Sequence, residues 1–222
     1  MSYDFWVVLH LLVIGYWLGA DLGVYYLSGT VVDSDKPVAV RTFAARAMLW
    51  LDMVPRTCLI LTLSTGLAIG SIAWFGRPPG GWWWVWPLLL AWLALTWAVF
   101  LNESGKRGHV LSVIDTALRV IVIGALVTIA LTTWTGLATA GTAQPWLAGK
   151  LLLLALIMGM GLVVRVQLRG FGPLFAKVAA GEADASVDRR LAALIAQVKI
   201  PVWVIWISVI AAAFIGRFKP MF

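Results

Sequence analysis

Residues 3–27 read YDFWVVLHLLVIGYWLGADLGVYYL. Only Asp4 and Asp21 carry a charge in that stretch. A helix needs about 20 apolar residues to cross the hydrocarbon core of a bilayer. Lipid offers no partner to a bare N–H or C=O, so such a run must be helical. Five further apolar runs follow, at 54–75, 82–101, 112–134, 147–166 and 200–215. The pattern predicts an all-α integral membrane protein, a six-transmembrane-helix bundle forming a single transmembrane domain over residues 1–222.

The composition agrees. Of the 222 residues, 62% are hydrophobic and 12% charged, whereas a soluble domain carries about a quarter charged residues. The single cysteine, Cys58, excludes an intrachain disulfide and a cysteine metal cluster. The first run is too long for the core of a signal peptide, and no basic segment precedes it, so no cleavable leader is expected.

The formal charge of +7 comes from 17 Lys and Arg against 10 acids. With the joints on alternate sides, Arg77, Lys150, Arg217 and Lys219 share one side and the other thirteen cations share the opposite one. Basic joints stay in the cytosol. Both termini are therefore expected outside, in the periplasm of a bacterial inner membrane. The basic excess reads as a topology signal facing anionic lipid, not as a nucleic-acid surface. The joints at about 37–52 and 173–198 read as amphipathic cytosolic segments, and Pro201 is expected to kink the entry to the last span. The outer joint 76–81 reads as a tight turn, followed by Trp82, Trp83, Trp84 and Trp86 as an interfacial belt.

Spans two and three resemble spans four and five. Asp52-x3-Arg56 pairs with Asp115-x3-Arg119, and Thr65-Gly66-Leu67-Ala68 with Thr135-Gly136-Leu137-Ala138. Trp83-x3-Pro87 pairs with Trp146-x3-Lys150, so a lysine stands in the second copy where the first has proline. The Thr-Gly-Leu-Ala element is slipped by about two helical turns relative to the rest.

Ionisable groups inside a span are costly and mark function. At about 100° per residue, Trp6, His10, Trp17 and Asp21 share one face of the first helix. Gly15, Gly19 and Gly23 form a ridge on the opposite face, suited to close helix contact. His10 fits a haem ligand, a metal ligand, a proton carrier or a packed histidine bonded to a neighbour. Asp21 is expected to pair with Arg56. Lys150 should lie at the depth of His10, which suggests a shared cavity. His109 reads as an exposed residue of an inner joint.

His10-x6-Trp17-Leu18-Gly19-Ala20 resembles the first helix of HemJ-type protoporphyrinogen oxidases and of the copper resistance D (CopD) membrane proteins. Asp52-Met53-Val54-Pro55, with Gly66 beyond it, resembles the HemJ second helix. Trp146-Leu147-Ala148-Gly149-Lys150-Leu151 resembles the start of the HemJ helix that carries its functional lysine. The chain departs from that pattern in having six spans where HemJ has about four, and in having Gly159, Met160 and Gly161 where HemJ has a later histidine. The resemblance implies a haem b or porphyrin site that uses His10 and Lys150.

Three functions stay open. The first is a haem- or porphyrin-binding redox protein, an oxidoreductase if it is an enzyme. His10 would be the axial ligand, Trp17 a wall of the macrocycle, Lys150 a propionate or proton partner, and Lys150 and Asp21 the catalytic groups. The second is CopD-like copper transport. Cu(I) prefers soft ligands, but Met53, Cys58, Met158 and Met160 are scattered and lie inward of His10. The third is a non-enzymatic accessory subunit of a larger membrane complex. The expected partners are the lipid bilayer and a membrane protein or a second copy of the chain, with no nucleic acid. There is no nucleotide loop, no nucleophile triad and no paired histidines of the cytochrome b kind.

Overall fold

The computed structural model describes residues 2–75, 84–102, 105–137 and 144–219. Within them every regular element is helical: α1 (Tyr3–Val32), α2 (Val38–Leu51), α3 (Met53–Phe75), α4 (Val85–Leu101), α5 (Lys106–Trp134), α6 (Pro145–Gln167), α7 (Phe171–Ala179) and α8 (Ala185–Phe218). A 3-10 turn, Leu168–Gly170, joins α6 to α7.

The helix ends follow from local chemistry. Ser2 accepts a hydrogen bond from the Phe5 amide and starts α1. Asp184 accepts from the Ser186 and Val187 amides and starts α8. These are N-cap bonds to amides that have no intrahelical partner. The Asp52 amide still bonds back to the Met48 carbonyl, so α2 runs into α3 with one residue between them. Pro201 sits inside α8, which continues through it for 34 residues.

Among the described residues, five segments are long and apolar enough to cross a membrane: Tyr3–Val32, Val38–Ala73, Lys106–Trp134, Pro145–Ala179 and Ala185–Phe218. α4 is apolar but only 17 residues long. The chain is a multi-pass membrane protein by length and composition. Its predicted third span is the short one, and residues 76–83, which hold the predicted outer turn and Trp82 and Trp83, lie outside the described residues. The stretch 37–52, expected to be an amphipathic segment, holds the helix α2, which is continuous with the candidate span Val38–Ala73. The one expected at 173–198 divides into α7 and the first turns of α8, separated at Gly181, whose φ of +74° suits glycine.

The chain forms two compact units, Met1–Asp115 and Thr116–Phe222. In the first, α1 packs along α3 and α2, and α4 packs on α3. Val31, Met53, Ile60 and Ala68 are almost fully buried there. In the second, α6 packs chiefly along α8, with α7 against α8. Arg165 Nη1 donates to Thr116 Oγ1 (3.1 Å), tying α6 to α5.

Two sequence expectations change. The ridge of α1 glycines is not its buried face: Gly15 and Gly19 are exposed, with nothing within 4 Å of a Cβ placed on either, and only Gly23 meets a neighbour, Leu51. The buried face is that of His10, Val13 and Trp17. A polar face can be buried once its polar group has a partner, and His10 has one in α3. The repeat also diverges. Thr65 lies inside α3, whereas Thr135 and Gly136 follow the end of α5, with Gly136 at φ +81°. The two-turn slip carries the second copy past its helix. Its hydroxyl chemistry persists: Thr65 and Thr135 each bond to the carbonyls three and four residues back.

Candidate functional site

His10 is 6% exposed, and its Nδ1 lies 2.7 Å from Thr65 Oγ1. The residues are 55 positions apart, so this is a contact between α1 and α3. A threonine hydroxyl has one proton and two lone pairs. Thr65 Oγ1 also lies 2.8 Å from the Leu61 carbonyl, which can only accept. The Thr65 proton therefore goes to Leu61, and Oγ1 accepts from His10 Nδ1–H. This assignment leaves the lone pair on Nε2, the tautomer that metal-ligating histidines adopt when their other nitrogen is held by a neighbour. Nε2 is closed off from solvent, so a ligand reaches it only if nearby side chains move.

The surroundings are aromatic and small. Trp6, one turn before His10, stacks on Trp86 of α4 with centroids 6.0 Å apart. Its Nε1 is buried and makes no hydrogen bond among the described residues. Trp17 is 5% exposed and belongs to the core of the unit. A Cβ on Gly66 would stand 3.6 Å from His10 Cε1, so α3 approaches the ring at ordinary contact distance.

Asp21 is half-buried in α1, within electrostatic reach of the buried Cys58 thiol of α3. Arg56, which the sequence pairs with Asp21, donates through Nη2 to Asp52 Oδ2, one turn earlier. Both side chains of that pair are about a third exposed. His109 is exposed, as expected, but it lies in the first turn of α5 and not in a loop.

A buried acid stood in the sequence only as part of the repeat. Asp115 is fully buried, and its Oδ1 accepts from Trp92 Nε1 at 3.2 Å. Neither Thr65 nor Trp92 was legible as a partner, because both contacts join segments far apart in the chain.

Lys150 lies in the second unit, half-buried near the start of α6, with its Nζ against Gly216 of α8. His10 and Lys150 thus belong to different units. An apolar groove of about 570 Å³ opens on the glycine face of α1, lined by Leu12, Gly15, Tyr16, Gly19 and Leu51 among others. It lies across the helix from His10.

Among the described residues no group of three or more His, Cys, Asp or Glu side chains gathers as a metal site. Asp184, just before α8, has a displaced titration. The Ser186 hydroxyl and the Val187 amide hold its carboxyl below the usual carboxylate range. The chain matches no protein-family model, no curated protein and no solved structure.

Proposed function

We propose that the chain is a six-span membrane protein, with α4 as its shortest span and both termini on the outer side, that holds haem b or a porphyrin through Nε2 of His10. The observation that carries this reading is the 2.7 Å bond between His10 Nδ1 and Thr65 Oγ1. It orients a buried imidazole and leaves its other nitrogen basic, which is the state an axial ligand needs. A haem held there would supply one-electron redox chemistry. The chain's own residues orient the imidazole (Thr65), build an aromatic wall (Trp6, Trp86, Trp17) and exclude water. Because Nε2 is covered, loading requires the side chains over the ring to move, and the bound and ligand-free forms should differ there.

The test is an absorption spectrum of the full chain, purified gently in detergent and titrated with haemin. A Soret band that is present in the wild type and lost in His10→Ala supports the reading. No Soret band at haemin excess, in protein that melts cooperatively, refutes it. Metal analysis of the same sample that finds bound copper without a Soret band would instead favour copper transport.

A further inference from the structure

The ends of α6 and α8 that meet in the second unit carry cations, and neither helix end carries an Asp or Glu. Trp146 and Lys150 are one turn apart on α6, and Gly216 and Lys219 are one turn apart in sequence at the end of α8. Two contacts join these pairs. The Lys219 ammonium lies over the Trp146 ring, 5.4 Å from its centroid. A Cβ placed on Gly216 would come within 2.7 Å of Lys150 Nζ. The Lys150 ammonium therefore rests on α8 at a position that has no side chain.

Among the described residues of this unit, no Asp or Glu lies near these charges. Residues 134–181 and 189–222 contain neither Asp nor Glu. The three acids of the unit, Glu182, Asp184 and Asp188, stand at the N-terminal end of α8, roughly 45–50 Å along that helix from Lys219. Lys150 makes no hydrogen bond or ion pair among the described residues. Arg217 adds a third cation in the last turn of α8. The C-terminal dipole of α8 supplies only about half a negative charge. A half-buried ammonium in an apolar helix pair is expensive unless an anion joins it. Tryptophan rings in membrane proteins collect at the headgroup level, where the available anion is a lipid phosphate.

We propose that Trp146, Lys150 and Lys219 form a binding site for the phosphate of an anionic phospholipid headgroup. The two ammonium groups pair with the phosphate, and the Trp146 ring holds Lys219 in place and packs at the level of the glycerol backbone. The site is independent of the His10 reading, since it lies wholly in the second unit.

The test uses the full chain in detergent, with phosphatidylglycerol, phosphatidylcholine or inorganic phosphate added. Lipid retention is read by native mass spectrometry, and the melting temperature is recorded alongside. Phosphatidylglycerol should be retained several-fold better than phosphatidylcholine and should raise the melting temperature, and millimolar inorganic phosphate should not displace it. Lys150→Gln and Lys219→Gln should each cut retention several-fold, while Lys177→Gln at the opposite end of the unit should leave it unchanged. Lys219 is exposed, so its variant keeps the test valid if Lys150→Gln fails to fold. Equal retention of the two lipids, or wild-type retention in Lys219→Gln, overturns the site. Full displacement by inorganic phosphate overturns the lipid as its source.

Discussion

Arg41 Nε donates to the carbonyl oxygen of Val31 at 3.0 Å. α1 has no basic residue in its last turn, and the carbonyls at a helix C-terminus have no intrahelical donors. Arg41, on α2, reaches back to satisfy one of them. Its side chain is 3% exposed and Val31 is fully buried. A hydrogen bond from a charged donor is worth about 1.5–3 kcal/mol. Arg41→Gln should therefore lower the melting temperature in detergent clearly more than Arg46→Gln, whose parent side chain is exposed on the same helix. Equal shifts would remove the capping role.

The His10–Thr65 bond makes a graded prediction. Thr65→Ser keeps the acceptor and should keep haem binding. Thr65→Val keeps the shape and removes the acceptor, so the imidazole loses its fixed orientation. Loss of an outer partner typically costs ~10–100-fold in affinity for the bound group. A haemin titration followed at the Soret maximum compares the variants, and identical affinities for Val and Ser would show that Thr65 does not orient the ligand.

Trp92 and Asp115 form a buried pair whose partners respond differently to substitution. Asp115→Asn retains an acceptor for the indole N–H. Asp115→Leu leaves that N–H buried and unsatisfied, which costs about 1–3 kcal/mol. The Leu variant should melt below the Asn variant, and the tryptophan emission should change more in Leu than in Asn.

Asp184 sets a pH dependence at the start of α8. Its folded-state carboxyl lies below the usual range because the Ser186 hydroxyl and the Val187 amide bond to the charged form. A depressed pKa stabilises the cap above the unfolded value of about 4. That contribution is lost as the pH falls through the folded value. Amide exchange over 185–188 should be slower in the wild type than in Asp184→Ala at neutral pH, and the difference should fade on acidification. A difference that persists below both values would refute this linkage. Asp184→Asn should keep a cap with no such pH dependence.

The topology is checked by cysteine accessibility in a Cys58→Ser background. With six spans and outer termini, a cysteine at Gln144 should react with an impermeant reagent in cells whose outer membrane is permeabilised, and one at Gly181 should not. Labelling at Gly181 would refute the arrangement.

The sequence by itself determined the class of fold. A run such as 3–27 has nowhere to place its backbone amides in lipid except a helix, so helix positions follow from composition with no knowledge of neighbours. His10 was equally legible as a site candidate, because an imidazole at that depth is expensive wherever it points. Tertiary structure decided which face of α1 is buried. The glycine ridge looked like the contact face by its small residues, but the exposed Gly15 and Gly19 and the buried His10 and Trp17 reverse it. Thr65 was visible only as part of a repeat. That it holds His10 depends on how α3 packs on α1, a relation between residues 55 apart that no local pattern encodes. Likewise Asp52 and Asp115 read as equivalent members of two copies, and that Asp115 accepts from the indole of Trp92, 23 residues earlier, emerges only from the packing of α4 on the start of α5. Periodicity fixes the elements because it acts along the chain, while partner choice acts across it.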